Sequence, residues 1–250
     1  MIRDEATGSP AAGAATLLAL IGTFGVSAGA FAQTALRLDA GLEYTAGDYG
    51  GDVDYEDLYV PLTLTYELRR VDLRLTIPYL EVETAADTTE SGLGDVIAGL
   101  TVYDVWRSAD GTMALDFTAK IKLGTADETR GLGSGETDYS AQAGLYKALA
   151  RGGFAMGAGY KSRGDTQFVE LENAWFAYMG GLRSFSPRTQ GGVFLDYREA
   201  SIVGNDAVQE LSAFIAHRTA RRWGVQIYLL KGLSDTSPDW GGGISTGARF

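Results

Sequence analysis

The chain has 250 residues, 45% of them hydrophobic and 34 of them glycine, with 32 acidic residues against 21 basic ones, one histidine and no cysteine. The net charge of −11 argues against a nucleic-acid partner, because neutralising phosphates needs clustered Lys and Arg, and a sequence without cysteine has neither disulfides nor thiolate metal sites. Glycine at near twice its usual ~7%, with five prolines and no run of helix formers past the N-terminus, excludes a helical bundle or a βαβ series.

The first segment is an export signal by its pattern. "AATLLALIGTFGVSAGAFA" is too short and too interrupted for the ~20 apolar residues of a membrane helix, and it closes on Ala30-Phe31-Ala32, the small-x-small pattern of a cleavage site. Residues 1–32 are therefore expected to be a signal peptide and residues 33–250 the mature domain. Removing Arg3, Asp4 and Glu5 from the count takes the net charge from −11 to −10, so the mature part stays acidic.

From Leu36 onward a two-residue alternation recurs, which is the signature of strands. In chain order the alternating stretches are "LRLDAGLEY" (36–44), "LYVPLTLTYEL" (58–68), "VDLRLTIPY" (71–79), "VIAGLTVYDVW", "MALDFTAKIKL" (113–123), "YSAQAGLYKAL", "FAMGAGYK" (154–161), "WFAYMGGLRS", "GVFLDYR", "VQELSAFIAH", "WGVQIYLL" (223–230) and "WGGGISTGARF" (240–250), twelve in all. The connections fall into two kinds that alternate strictly. Tight turns at Arg69-Arg70, Ser108 to Thr112, Arg151-Gly152, Pro187-Arg188 and Arg221-Arg222 carry arginine. Longer acidic loops, "AGDYGGDVDYED", "TAADTTESG", "GTADETRGLGSGET", "SRGDTQFVELE", "ASIVGND" and "SDTSPD", lie at the other end. Short turns on one side and long loops on the other, with an even strand count, predict an all-β fold, a transmembrane antiparallel up-and-down β-barrel of about twelve strands in the bacterial outer membrane.

A soluble barrel alternates as well, with its apolar face inward, so the decision rests on aromatics and charges. On the apolar face Tyr66, Phe154, Trp223 and Phe250 fall near the tight turns, while Tyr44, Tyr79, Tyr139, Tyr160, Tyr197 and Trp240 fall near the loops. These are two girdles. Ten residues from Trp240 to Phe250 span roughly 33 Å of strand, which a tilt of ~40° reduces to the ~25 Å of an outer-membrane apolar band.

The opposite face carries the charges. By parity the expected lumen-facing set is Arg37, Asp39 and Glu43 on the first strand, Glu67 and Arg74 on the next two, and Asp116, Lys120 and Lys122 on the fifth. Lys161, Arg163, Arg183, Asp196, Arg198 and Glu210 complete it. Such charges cost ~2 to 4 kcal/mol each at the midplane of the lipid face; inside they can brace the wall by pairing across strands or form a polar eyelet that selects solutes. Lys147, Lys231 and His217 have lipid-facing parity but lie near strand ends, where long side chains reach the interface. If Arg69-Arg70 is a two-residue turn, Pro61 faces Pro78. Each proline then removes a ladder bond to a flanking strand, and the pair marks an expected lateral seam.

No catalytic, cofactor or metal residue is assigned. "GLGSGE" (131–136) lacks the lysine and the helix of a phosphate loop, Asp48, Asp52, Asp54, Glu56 and Asp57 lack the spacing of an EF-hand, and the single histidine, His217, sits beside a tight turn. A terminal Phe250 on an alternating strand is similar to the signal that barrel-assembly machinery reads in outer-membrane proteins.

At "SGLGDVIAGL" (91–100), "KIKLGTADETRGLGSGETDYS" (120–140) and "KGLSDTSPDWGGG" (231–243) the chain resembles the outer-membrane transporter family named for the meta-pathway of phenol degradation. It departs from that pattern at Gly124-Thr125-Ala126, where Pro-Thr-Gly is expected. The resemblance implies a channel linked to uptake of aromatic or other small organic compounds and transfers no individual substrate residue. The expectation is a monomeric, cofactor-free, non-enzymatic channel for passive uptake of small solutes, surrounded by outer-membrane lipid. The alternative is a non-conducting surface or structural protein that acts through its acidic loops.

Overall fold

A computed structural model describes residues 34–51, 53–84, 88–165 and 171–250; the expected signal peptide lies outside the described residues. Its strands are β1 (Ala35–Gly47), β2 (Tyr55–Glu67), β3 (Val71–Thr84), β4 (Thr88–Leu93), β5 (Val96–Arg107), β6 (Met113–Leu123) and β7 (Asp138–Leu149). They continue with β8 (Gly152–Ser162), β9 (Ala174–Ser186), β10 (Thr189–Arg198), β11 (Val208–His217), β12 (Trp223–Gly232) and β13 (Trp240–Arg249). Every pairing is antiparallel between neighbours, and β13 returns to β1 from Arg37↔Arg249 to Ala46↔Trp240. Both β4 and β5 pair with β3, so they are two pieces of one wall strand and the closed barrel has twelve staves. Closure pairs the first strand with the last, so neither presents an open edge of N–H and C=O groups to lipid, where each unsatisfied group would cost several kcal/mol.

The alternation decides which way the wall faces. On β2, Leu62, Leu64 and Tyr66 are exposed on the outside while Tyr59 and Thr65 are buried inside; on β11, Leu211 and Ile215 point out while Glu210, Ser212 and Phe214 point in. The outer surface carries the expected girdles, extended by Trp106 and Phe185 at the turn end and Trp175 at the loop end. Tyr44 stacks on Trp240 at 5.2 Å and Tyr160 on Trp175 at 5.1 Å between ring centroids.

Inside, one arc of the wall is filled by Ala155, Tyr178, Phe194, Phe214, Tyr228 and Leu230, with Tyr146, Leu182 and Ala216 against them. Glycines make the space. A Cβ on Gly144 would lie 2.6 Å from the Tyr178 hydroxyl oxygen, and one on Gly157 2.5 Å from its ring, so the ring can lie flat against the wall only because both positions are glycine.

Two features depart from the sequence expectations. The segment "TAADTTESG", expected as a loop, is largely strand: β3 and β4 continue their ladder out to Thr84↔Thr88, through threonine and valine positions that suit a pleated surface. Between β5 and β6 the register moves from Val102↔Phe117 to Trp106↔Leu115, so residues 103–105 lie opposite Asp116 alone. At the centre of that bulge Asp104 has φ 53° and donates its N–H to Asp116 Oδ1 at 2.8 Å, a left-handed conformation that aspartate tolerates better than most residues. The loop between β6 and β7, whose direction the sequence leaves open, folds inward.

Candidate functional site: the barrel lumen

At the loop end, the connection from Gly124 to Thr137 turns into the barrel. Leu132 is 2% exposed and packs on Tyr59, Leu80 and Val82 of the inner wall. The break between β4 and β5 holds it there. Asp95 Oδ1 accepts the N–H groups of Thr125 at 3.0 Å and Ala126 at 2.9 Å, and Oδ2 accepts Ser134 N–H at 3.2 Å and Lys122 Nζ at 2.7 Å. Thr125 Oγ1 accepts from Val96 N–H and donates to the carbonyl of Gly94, and Lys122 Nζ also reaches Ser134 Oγ. A single turn of 3-10 helix, Glu128–Arg130, follows, capped by the Asp127 side chain and closed by Gly131 in the left-handed region. The Asp127 carboxyl lies below its usual pKa because the Thr129 side chain and N–H donate to it. Outside this knot Arg130 pairs with Glu90 at 2.7 Å. A Cβ on Gly94 would lie 2.2 Å from Leu80 Cδ1 and 3.1 Å from Pro78 Cγ, so any side chain there forces buried Leu80 to shift.

The Pro61↔Pro78 pair is in register. Beside Pro61 the β1–β2 ladder skips from Ala40↔Leu62 to Glu43↔Tyr59. Beside Pro78 the pairing of β3 passes from Thr76↔Ile97 on β5 to Tyr79↔Leu93 on β4, and one bond, Gly94 N–H to the Pro78 carbonyl at 3.0 Å, crosses the interval. Both flanking ladders are therefore interrupted at one height, next to the apolar patch under Leu132.

Between the ends the inner wall separates charge. On one side Glu43, Asp57, Asp196 and Glu210 are buried on β1, β2, β10 and β11. Glu43 accepts from the Tyr228 hydroxyl at 2.8 Å and Glu210 pairs with Arg198 at 2.9 Å. Glu43 Oε1, Asp57 Oδ2, Asp196 Oδ2 and Ser212 Oγ have no protein partner. On the other side Lys120, Lys122 and Lys161 point inward from β6 and β8. Asp138 pairs with Lys161 at 2.8 Å and with Lys122 at 3.5 Å. Arg163 Nη1 donates to the Glu172 carbonyl at 2.6 Å above them.

At the turn end the inner charges pair with one another. Arg37 meets Asp39 at 2.7 Å, Arg249 meets Glu67 at 2.6 Å, and the Tyr103 hydroxyl donates to Asp72 at 2.8 Å. Arg74 lies on the same inner parity as Thr76, whose hydroxyl bonds Thr63 at 2.9 Å.

Of the residues expected on the inner face, Arg183 is corrected. It is exposed on β9 with the parity of Trp175, Met179 and Phe185, whereas its neighbour Leu182 packs on the inner aromatic cluster. Gly180 and Gly181 precede it, so the stretch offers no side chains from which to count the alternation. Sequence reading missed Asp95, Leu132 and Tyr228 as parts of the interior, although "GLGD" contained Asp95. His217 faces outward, its Nδ1 at 2.9 Å from Thr189 Oγ1, and among the described residues no group of acidic or histidine side chains is arranged to hold a metal ion.

A closed antiparallel barrel with an apolar belt outside, two aromatic girdles and ionic groups within is a transmembrane barrel of the bacterial outer membrane. The chain matches the family described as "MetA-pathway of phenol degradation" over residues 21–250, and it belongs to that family. Its fold is similar to that of an outer membrane channel from Pseudomonas putida F1, with a TM-score of 0.77 and 15% identity over 90% of this chain and 98% of that one. It is also similar to the KdgM porin, with a TM-score of 0.57 and 7% identity over 86% and 99% of the two chains. A third similar fold is the translocator domain of autotransporter NalP from Neisseria meningitidis, with a TM-score of 0.55 and 9% identity over 96% of each chain. Among curated proteins none matches this chain in sequence.

Proposed function

We propose that the protein is a monomeric outer-membrane channel for the passive uptake of small solutes, with aromatic or hydrophobic compounds as the favoured class, and that it performs no covalent chemistry and needs no cofactor. The observation that carries this reading is the gathering of Lys120, Lys122, Lys161, Glu43, Asp196 and Glu210 on the inner side of a closed barrel whose outer side is apolar. Ionic groups line a bore for what passes, and the Arg74, Lys120 and Lys161 side sets its charge preference. The family supports the aromatic class, and so do the inward rings of Tyr178, Phe194, Phe214 and Tyr228. In this reading residues 1–32 are cleaved on export, and barrel-assembly machinery engages the strand ending in Phe250.

The interrupted ladders at Pro61 and Pro78 support a lateral route. An apolar solute held among Tyr59, Leu80, Val82 and Leu132 leaves through the weakened seam toward the membrane. The alternative, a non-conducting surface protein, draws on the same loop: with Leu132 seated inside, part of the bore is filled. Planar-bilayer conductance of the refolded protein decides between them. Steady current steps whose ion preference changes in Lys120→Glu support the channel; silence supports the surface protein. Activity toward ester or peptide substrates that disappears in His217→Ala would contradict the non-enzymatic reading.

A further inference from the structure

The tight turns are not alike in charge. The turns between β2 and β3, "ELRRVD" (67–72), and between β5 and β6, "RSADGT" (107–112), mix signs. The next three do not: "KALARGG" (147–153), "RSFSPRTQ" (183–190) and "HRTARRW" (217–223) contain no acidic residue. Lys147 and Arg151 come from the first, Arg183 and Arg188 from the second, and Arg218, Arg221 and Arg222 from the third. All are exposed. Among the described residues none of them pairs with a carboxylate, and Arg218 spends one donor on the Pro187 carbonyl at 2.8 Å. The basic arc runs along one continuous stretch of wall, from β7 to β12.

Its depth is fixed by the lower girdle. Lys147 on β7 lies directly beside Phe154 on β8, and Arg183 on β9 beside Gly152, at the start of the same strand; both side chains point away from the bore. Arg222 immediately precedes Trp223. Aromatic girdles sit at headgroup level, so these cations stand at the phosphates of the inner leaflet. The ladder neighbours of Arg183 are Gly152 and Gly191, and the ring of Phe185, a girdle residue, covers Gly191 at 3.0 Å from where a Cβ would stand. Arginine presents a planar fork that matches phosphate in a bidentate manner.

We propose that the arc from β7 to β12 is a binding surface for anionic phospholipid headgroups of the inner leaflet. The ligand is the phosphodiester of a lipid with net negative charge, such as phosphatidylglycerol, and Lys147, Arg151, Arg183 and Arg188 form the core of the surface. A zwitterionic headgroup brings its own ammonium into the same field and gains less. Near an anionic surface each engaged Lys or Arg favours the charged lipid by about fivefold, so two or three cations give a strong local enrichment. The surface is independent of whether the bore conducts.

The test is native mass spectrometry of the folded barrel released from micelles with equimolar phosphatidylglycerol and phosphatidylethanolamine. The expected result is severalfold retention of phosphatidylglycerol over phosphatidylethanolamine. This falls toward parity in Arg151→Gln/Arg183→Gln/Arg188→Gln and persists in Arg69→Gln/Arg70→Gln, which alters a mixed-sign turn. Equal retention of the two lipids by the wild-type protein overturns the proposal and leaves an acidic periplasmic protein as the partner of this face. Unchanged enrichment in the triple variant also overturns it. Should the triple variant fail to fold, electron paramagnetic resonance of spin-labelled phosphatidylglycerol around the wild-type barrel decides. Immobilisation that weakens from low to high salt supports the arc, and salt-independent immobilisation contradicts it.

Discussion

The hydroxyl of Tyr228 on β12 donates to Oε2 of Glu43 on β1 at 2.8 Å, reaching over Gly243 of the intervening β13, which is paired with both residues. A Cβ on Gly243 would lie 2.6 Å from the Tyr228 ring, so the bond exists because the strand between offers no side chain. The other oxygen of Glu43 has no protein partner. Tyr228→Phe strips the carboxylate of its remaining donor, and a buried acceptor left unsatisfied costs about 1–3 kcal/mol. Denaturant unfolding of the refolded barrel in vesicles should show that loss. A variant as stable as the wild type would show that the bond contributes nothing.

Asp95 accepts four donors, three N–H groups of the inward loop and the charged Nζ of Lys122 on β6. Asp95→Ala is expected to release residues 124–137 while leaving the barrel closed, because the twelve-stave wall does not depend on this carboxylate. Limited proteolysis reads the change directly: trypsin cuts after Arg130 in the variant far faster than in the wild-type protein. Equal cutting rates would mean that Leu132, not Asp95, holds the loop.

Gly94→Ala drives a methyl into Leu80, and overpacking of this kind typically costs about 1–3 kcal/mol. Leu80→Ala removes the obstruction. The two changes together should therefore be less destabilising than the sum of each alone, by a coupling energy readable in a double-mutant cycle. Additive losses would place the strain elsewhere.

Asp110, in the turn between β5 and β6, accepts from the Ser108 hydroxyl at 2.6 Å and from Thr112 N–H and hydroxyl at 3.1 and 2.9 Å. These bonds hold its carboxyl down at about 2, from an ordinary 3.8. Since the folded value is the lower one, the turn's contribution is present above about 3.8 and disappears as pH falls through about 2. The carboxyl carbon shift of Asp110, followed by NMR across that range, should titrate near 2; a midpoint near 3.8 would show that the bonds are not made in solution.

Most of the wall was legible from residues alone, for a physical reason. A strand facing lipid on one side and ions on the other must alternate, and a charge on the wrong side is expensive, so "MALDFTAKIKL" states its own orientation. The Pro61 and Pro78 register followed from one tight turn. Where side chains are missing, the reading fails: two glycines before Arg183 erase the phase, and the position is outward. The bulge at Asp104 was hidden because an extra residue in a ladder changes pairing without changing composition. The inward loop was hidden because Asp95 reaches the N–H groups of Thr125, Ala126 and Ser134 only when the strand between Leu93 and Val96 breaks, and the pattern "GLGD" gives the glycine and the acid without naming their partner.

The sequence has no cysteine, so single cysteines can carry spin labels at chosen wall positions without interference, and this gives the most direct measurement of the central claim. In vesicles, labels replacing Leu64, Leu75 and Phe117 should collide frequently with oxygen and rarely with a water-soluble nickel chelate, as side chains among acyl chains do. Labels replacing Thr63, Thr76 and Thr118, each one step away along the same strands, should show the lower oxygen and higher chelate accessibility of an aqueous bore. The reverse ordering would place the apolar face inside and contradict the account.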